Sequence, residues 1–168
     1  MAPRSWEYVI SNRSLAKNMT NTLSKCASIP MEIKSHASVG GIRFAESRDK
    51  VRQLLGSKFE EFRRAPCSVN TSDHYVDMGC FIYYDEANKV EAIELSKPAK
   101  AIFNGVDLLD ISARSLIVLM TIDDSKIEME PDGFVSRKTG ISAYIPDADA
   151  FESRAESILV FRAGYYGN

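Results

Sequence analysis

A chain of 168 residues, 45% apolar and 26% charged, is ordinary globular material, enough for one domain or two small fused ones, and excludes a disordered or fibrous protein. The formal charge of −2 provides no global field for nucleic acid. Three cysteines, Cys26, Cys67 and Cys80, fall at irregular spacing with no CxxC pair, which excludes zinc and thioredoxin-like readings and fits reduced cytoplasmic thiols.

The charge is uneven. Residues 1–100 carry 15 basic and 12 acidic side chains, residues 101–168 carry 6 and 11, so the second part is net −5. No stretch approaches the length of a membrane span, and the start lacks the apolar run of a signal peptide. A cytoplasmic location is expected.

Trp6 to Ile10 reads as a short strand. Leu15, Met19, Leu23 and Cys26 have helical spacing, so Arg13 to Cys26 is a short helix or a loop. Pro30 to Lys34 reads as a strand. Residues 1–37 form an N-terminal extension that packs on the first of two units. Gly40-Gly41 leads to a helix with Ser47 as N-cap, Asp49 in its first turn, and an apolar stripe of Val51, Leu54 and Leu55. Gly56 reads as its C-cap. Lys58 to Arg64 either extends the helix or forms a twisted strand, which Pro66 ends.

The most strand-like stretch runs from Asp73 to Leu95. Phe81 and Tyr83 share one face of a strand, Ile82 and Tyr84 the other. Asp85 to Lys89 is a hairpin loop. On the next strand Val90, Ala92 and Glu94 alternate with Glu91, Ile93 and Leu95. Gly79 marks a bulge or bend before the pair. Pro98 closes this unit, 38–100.

The second unit, 101–168, repeats the order of elements. Phe103 to Leu109 is the approach, Ser112 the N-cap, and Leu116, Ile117, Leu119 and Met120 the buried stripe. Strands follow at Lys126–Glu130, Phe134–Ser136, Gly140–Ile145 and Ser157–Arg162. Gly41 aligns with Gly105, Ser47 with Ser112, Glu91 with Glu156 and Ile93 with Ile158, at offsets of 64 or 65 residues, whereas Gly79 on Gly140 gives 61 and needs a short gap in the sheet region and an insertion in the final loop. The expected fold is α+β: two similar units in tandem, each a helix packed on an antiparallel β-sheet, joined edge to edge or side by side.

With the helix from Ser47 to Gly56 and the strands FIYYD and VEAIE, the pattern resembles the helix-plus-sheet unit of outer-membrane assembly lipoproteins of the BamE/SmpA kind. The tandem arrangement resembles the β-lactamase inhibitory proteins. Gly41-Ile42-Arg43-Phe44, with Tyr83-Tyr84-Asp85 and Gly164-Tyr165-Tyr166, is also similar to a group of cytoplasmic bacterial proteins of unassigned role. The resemblance spans residues 38–166. The chain lacks the lipid anchor of the first family and the secretion signal and paired cysteines of the second. What the resemblance implies is that such tandem sheets bind proteins.

No catalytic constellation stands out. Cys67 with Asp73-His74 is a weak Cys–His pair with no oxyanion element beside it. Asp85, Glu86, Glu91 and Glu94 surround the hairpin, but Glu91 and Glu94 point to opposite faces. Asp147 and Asp149 lack the rest of a calcium loop. His36 and His74 are too few for a structural metal site, and no cofactor is expected. Gly40-Gly41 matches no phosphate-loop pattern. The basic-rich run from Arg43 to Arg64 is diluted by carboxylates and not interleaved with tyrosines, so nucleic acid is not expected.

Tyrosines are favoured binding anchors, because they bury large area while keeping a polar tip. A partner surface is therefore expected at Tyr75, Tyr83, Tyr84, Asp85, Glu91, Tyr144, Tyr165 and Tyr166. The expected function is a cytoplasmic protein-binding module, an immunity protein or inhibitor that occludes a toxin or enzyme with a basic surface. It would act as a monomer or homodimer. The alternative is a small-ligand or enzymatic domain with a cleft between the units, using Asp73, His74, Tyr83 and Asp85.

Overall fold

The computed structural model describes residues 30–147 and 152–167. The expected strand at Trp6–Ile10, the segment Arg13–Cys26 and Asp149 lie outside the described residues. The fold is α+β, with two helices and two sheets among the described residues.

Two short hairpins frame a small sheet. β1 (Pro30–Lys34) pairs with β2 (Ser38–Val39), which turns through Gly40-Gly41 into β3 (Ile42–Arg43). β8 (Lys100–Phe103) turns through Asn104-Gly105 into β9 (Val106–Asp107). All four turn residues have positive φ, between 49° and 89°. That is the backbone of a two-residue hairpin matched to strand twist, and it accounts for the glycines. β1 and β8 run parallel and join the hairpins into a five-stranded sheet, β3-β2-β1-β8-β9.

The large sheet has eight antiparallel strands. Its first four are β4 (Glu60–Phe62), β5 (Ser72–Tyr75), β6 (Cys80–Tyr84) and β7 (Val90–Ser96). The last four are β10 (Glu128–Glu130), β11 (Gly133–Ser136), β12 (Ile141–Tyr144) and β13 (Ser157–Phe161). The order is β10-β11-β12-β13-β7-β6-β5-β4, so β7 and β13 lie side by side at the centre and hydrogen bonding is continuous across the join. Both edge strands are three residues long and glutamate-bearing, Glu60-Glu61 at one edge and Glu128 with Glu130 at the other. Short charged edges resist pairing with another sheet.

The two helices are seated by different chemistry. α2 (Ala113–Asp123) buries Leu116 and Met120, and the Ser112 hydroxyl accepts from Ser115 N at its start. Each such side chain contributes about 2 kcal/mol by leaving water. α1 (Arg48–Leu55) is mostly polar and fully buries only Val51. Leu54, expected in the buried stripe, is 57% exposed. A polar clamp holds this helix instead. Arg48 and Arg52, four residues apart on one face, both reach Asp73 on β5.

The segment Lys58–Arg64 contains a strand, because Glu60–Phe62 pairs with Ser72–His74. Gly79 has φ +61° and ends a 3-10 turn before β6, the expected bend. Phe81 and Tyr83 do share one sheet face, and Ile82 and Tyr84 the other. Val90 breaks the expected alternation. Tyr83 faces Ala92 but Tyr84 faces Val90, so a β-bulge inserts Glu91 as an extra residue. Val90 then joins Ile93 and Leu95 in the main core, between the large sheet, the helices and the small sheet.

A smaller cluster on the opposite face gathers Tyr83, Ala92, Val135, Leu159 and Phe161, with Phe62, Phe81 and Tyr165 against it. His36, at the β1–β2 turn, places Nε2 3.1 Å and 3.2 Å from the carbonyls of Arg137 and Lys138. It ties the small sheet to the β11–β12 turn. Among the described residues no helix is long and apolar enough to cross a membrane.

Candidate functional site

The β4–β5 connection and the β6–β7 hairpin come together at one end of the large sheet. The amide of Asn70 donates to the carbonyls of Asp85 (2.8 Å) and Glu86 (3.1 Å). Asp85 Oδ1 in turn accepts from the backbone N–H groups of Ala87 and Lys89, fixing the hairpin loop as an Asx turn. On the other side, Ser68 Oγ accepts from Ala65 N, and Arg63 donates to Ser68 O. Between these braced loops lies a cavity of about 340 Å³. Its lining includes Tyr83, Tyr84, Asp85, Glu86, Glu91, Arg64 and Cys67.

The bulge delivers Glu91 to this place. As the unpaired residue it leaves the strict in-out alternation of β7. Its carboxylate is half-buried, and among the described residues it pairs with Arg64 at 3.9 Å. Burial raises the Glu91 pKa; Arg64 and Arg162 oppose this without cancelling it, and Asp85 adds to the rise. Arg64 itself lies over the ring of Tyr83 (4.7 Å) and within 5.5 Å of the Tyr165 ring. Arg162 contacts Asp85 Oδ2 at 3.3 Å, and its N–H donates to the Glu91 carbonyl.

Behind the cavity wall the Tyr83 hydroxyl donates to Glu94 at 2.6 Å, and Glu94 is only 1% exposed. Burial, then the Glu94 charge, raises the Tyr83 pKa far above its ordinary value. Tyr83→Phe removes this donor from a buried carboxylate. It is expected to lower the unfolding free energy by about 2 kcal/mol at constant m, read from urea unfolding. An unchanged midpoint would show that Glu94 does not depend on Tyr83.

Four of the eight residues expected at a partner surface, Tyr83, Tyr84, Asp85 and Glu91, meet at this cavity. Tyr165 joins them through Arg64, and it stacks on Phe161 at 5.5 Å. Tyr166 meets Phe161 edge-on at 5.0 Å and is partly exposed. Tyr75 lies elsewhere, buried in the main core, with its pKa pushed up to about 12 chiefly by burial. Tyr144 ends β12, opposite Ser157 and Gly133 in the second half of the sheet.

Of the four residues of the enzymatic alternative, Tyr83 and Asp85 line the cavity but Asp73 and His74 do not. Asp73 faces α1, where Arg48, Arg52 and the Tyr84 hydroxyl occupy both its oxygens. His74, the next residue along the strand, lies flat on Phe81 with ring centroids 3.7 Å apart, on the other face. Neighbours along a strand cannot cooperate through the sheet. Cys80 is buried, which pushes its thiol up to about 12, whereas Cys67 is exposed at the cavity. Among the described residues no three His, Cys, Asp or Glu side chains are grouped to hold a metal ion.

Arg64 was legible only as part of a basic run. The alternation Phe62-Arg63-Arg64 carries the missing signal, since Phe62 meets Tyr83 edge-on at 6.2 Å and Arg64 follows it on the same side. The rest of the basic run is largely paired: Arg48 and Arg52 with Asp73 and Glu61, Lys50 with Glu46, and Lys58 with Asp77. A larger depression of about 540 Å³ beside the His36 turn mixes Lys34 and Lys138 with Glu32 and Asp123, and none of the expected site residues lines it.

No protein-family model, curated protein or solved structure matches this chain.

Proposed function

We propose that this chain is a protein-binding module, specifically a cytoplasmic immunity protein or inhibitor that neutralises a toxin or enzyme by covering it. The observation that carries the reading is the convergence of Tyr83, Tyr84, Asp85 and Glu91 on one cavity, with Arg64 and Tyr165 alongside. Aromatic rings with a polar rim are what a buried anchor residue of a partner needs. The net −5 of residues 101–168 favours a partner with a basic surface.

The same reading takes the chain as a duplication akin to the tandem inhibitors. Support comes from matched parts. Each half has a positive-φ two-residue hairpin, a helix preceded by serine, and four consecutive antiparallel strands, with the last strands of the two halves paired at the centre. The short acidic edges of the large sheet favour a monomer over sheet-edge dimerisation.

Affinity capture of the tagged chain from its source cells, with mass spectrometry after a salt wash, tests this. The expected result is one stoichiometric partner whose toxicity or activity, expressed alone, is abolished by co-expression. Capture of no partner, repeated with the neighbouring genes expressed, would overturn the reading.

A further inference from the structure

We propose that the cavity between the β4–β5 connection and the β6–β7 hairpin receives a guanidinium or ammonium group from the partner's surface, with the Glu91 carboxylate as its acceptor. This deepens the protein-binding reading and rests on it for the source of the cation.

Three independent features lead here. The first is the cavity itself, about 340 Å³, large enough for the end of an arginine or lysine side chain and lined by Asp85, Glu86 and Glu91. The second is the state of Glu91. A β-bulge sets it outside the ladder, its side chain keeps only 24% exposure, and among the described residues its ion pair, to Arg64, is a loose 3.9 Å. A carboxylate withdrawn from water without a close donor is left under-solvated, and an incoming N–H donor restores what burial removed. The third is the balance of charge. Three carboxylates, Asp85, Glu86 and Glu91, line the cavity against two arginines, Arg64, already engaged with the rings of Tyr83 and Tyr165, and Arg162, already paired with Asp85 at 3.3 Å. The Nε atoms of Arg64 and Arg162 also lack hydrogen-bond partners, but both are sealed from solvent and present nothing to a ligand in the cavity. The accessible unsatisfied group is therefore an acceptor, and the ligand a donor.

Agmatine, an arginine side chain without its backbone, is the probe. Titrated into the whole protein at low salt and followed by amide NMR, it is expected to give saturable shifts at Asn70, Tyr84, Glu86 and Glu91. The neutral control 1-pentanol should not reproduce them. In Glu91→Gln the apparent Kd should rise about tenfold, the loss expected for a hydrogen-bonded charge. A carbon-detected pH titration of Glu91 in the unaltered protein gives a second readout that does not depend on the variant folding: agmatine should lower its midpoint. Absent shifts, shifts matched by pentanol, equal binding to Glu91→Gln, or an unmoved Glu91 midpoint would each overturn the proposal. A captured partner with no agmatine response leaves protein binding standing and removes this pocket from it. An agmatine response with no captured partner keeps the cation pocket and removes the inhibitor reading.

Discussion

Asp73→Asn is expected to lower the unfolding free energy by about 3 kcal/mol and the Tm by about 10 °C. Asp73 has no exposed surface, and it binds two guanidiniums at once: Arg48 at 2.6 Å, and Arg52 at 2.7 Å and 2.9 Å. The Tyr84 hydroxyl adds a fourth contact at 3.0 Å. Asparagine keeps the shape but offers one neutral acceptor and an amide whose hydrogens face two cations. The loss belongs at the low end of the range for a broken buried pair, because Arg52 retains 27% exposure and can turn partly to water. α1 has little else to hold it, so local opening of Arg48–Leu55 should appear in hydrogen exchange before global unfolding.

The same carboxylate makes a pH prediction. Burial pushes the Asp73 pKa upward, but the hydrogen bonds from Arg52 and Arg48 outweigh burial, and the net shift is downward. The folded pKa therefore lies below the unfolded value of about 3.9. Between those two values the unfolded chain binds the extra proton, so adding acid favours unfolding. The contribution is whole above the unfolded pKa and disappears as pH falls through the folded one. Urea midpoints should thus separate widely between the parent and Asp73→Asn at pH 7 and draw together as pH falls below the unfolded value. A gap that stays constant would mean that the Asp73 charge contributes nothing and that the variant loses stability through packing alone.

This clamp also marks what the sequence could not disclose. Period-two alternation correctly assigned Phe81 and Tyr83 to one face and Ile82 and Tyr84 to the other, because each face meets a different environment. The serine before α2 was legible for an equally local reason, as its hydroxyl accepts within its own first turn. Leu54 and Val90 were misplaced by the same logic. Helical spacing put Leu54 in a buried stripe, but α1 is anchored by Arg48 and Arg52, whose acceptor lies more than twenty residues away. Pairing of charges at that separation leaves no periodic trace. Val90 changed face because one extra residue, Glu91, entered β7, and nothing in the composition of VEAIE announces a bulge. The site was legible in its aromatic and carboxylate members and not in Arg64, whose neighbours are other basic residues. The long-range pairings, β1 with β8 and β7 with β13, depend on the whole chain closing and have no local signature.

Glycine substitutions separate conformational strain from steric exclusion, and Gly79→Ala is expected to be the more damaging of two. Gly79 and Gly105 both have positive φ, +61° and +79°. Either change to alanine carries the left-handed penalty of about 1–2 kcal/mol. At Gly105 the new methyl meets nothing within 4 Å, so that penalty is the whole effect. At Gly79 the methyl would lie 2.1 Å from the Ser96 carbonyl oxygen and 3.0 Å from the backbone of Lys97 and Pro98. Neither obstacle is a flexible side chain. Gly79 O also accepts from Ser96 N at 2.8 Å, so relief requires separating the start of β6 from the end of β7. Ser96 pairs in turn with Ser157 on β13, and the displacement reaches the central join of the large sheet. Gly79→Ala should therefore cost at least about 3 kcal/mol against about 1 for Gly105→Ala, measured by chemical unfolding of both variants. Equal losses would mean that β6 and β7 part freely at this end, and that the centre of the sheet is held by the β7–β13 pairing alone.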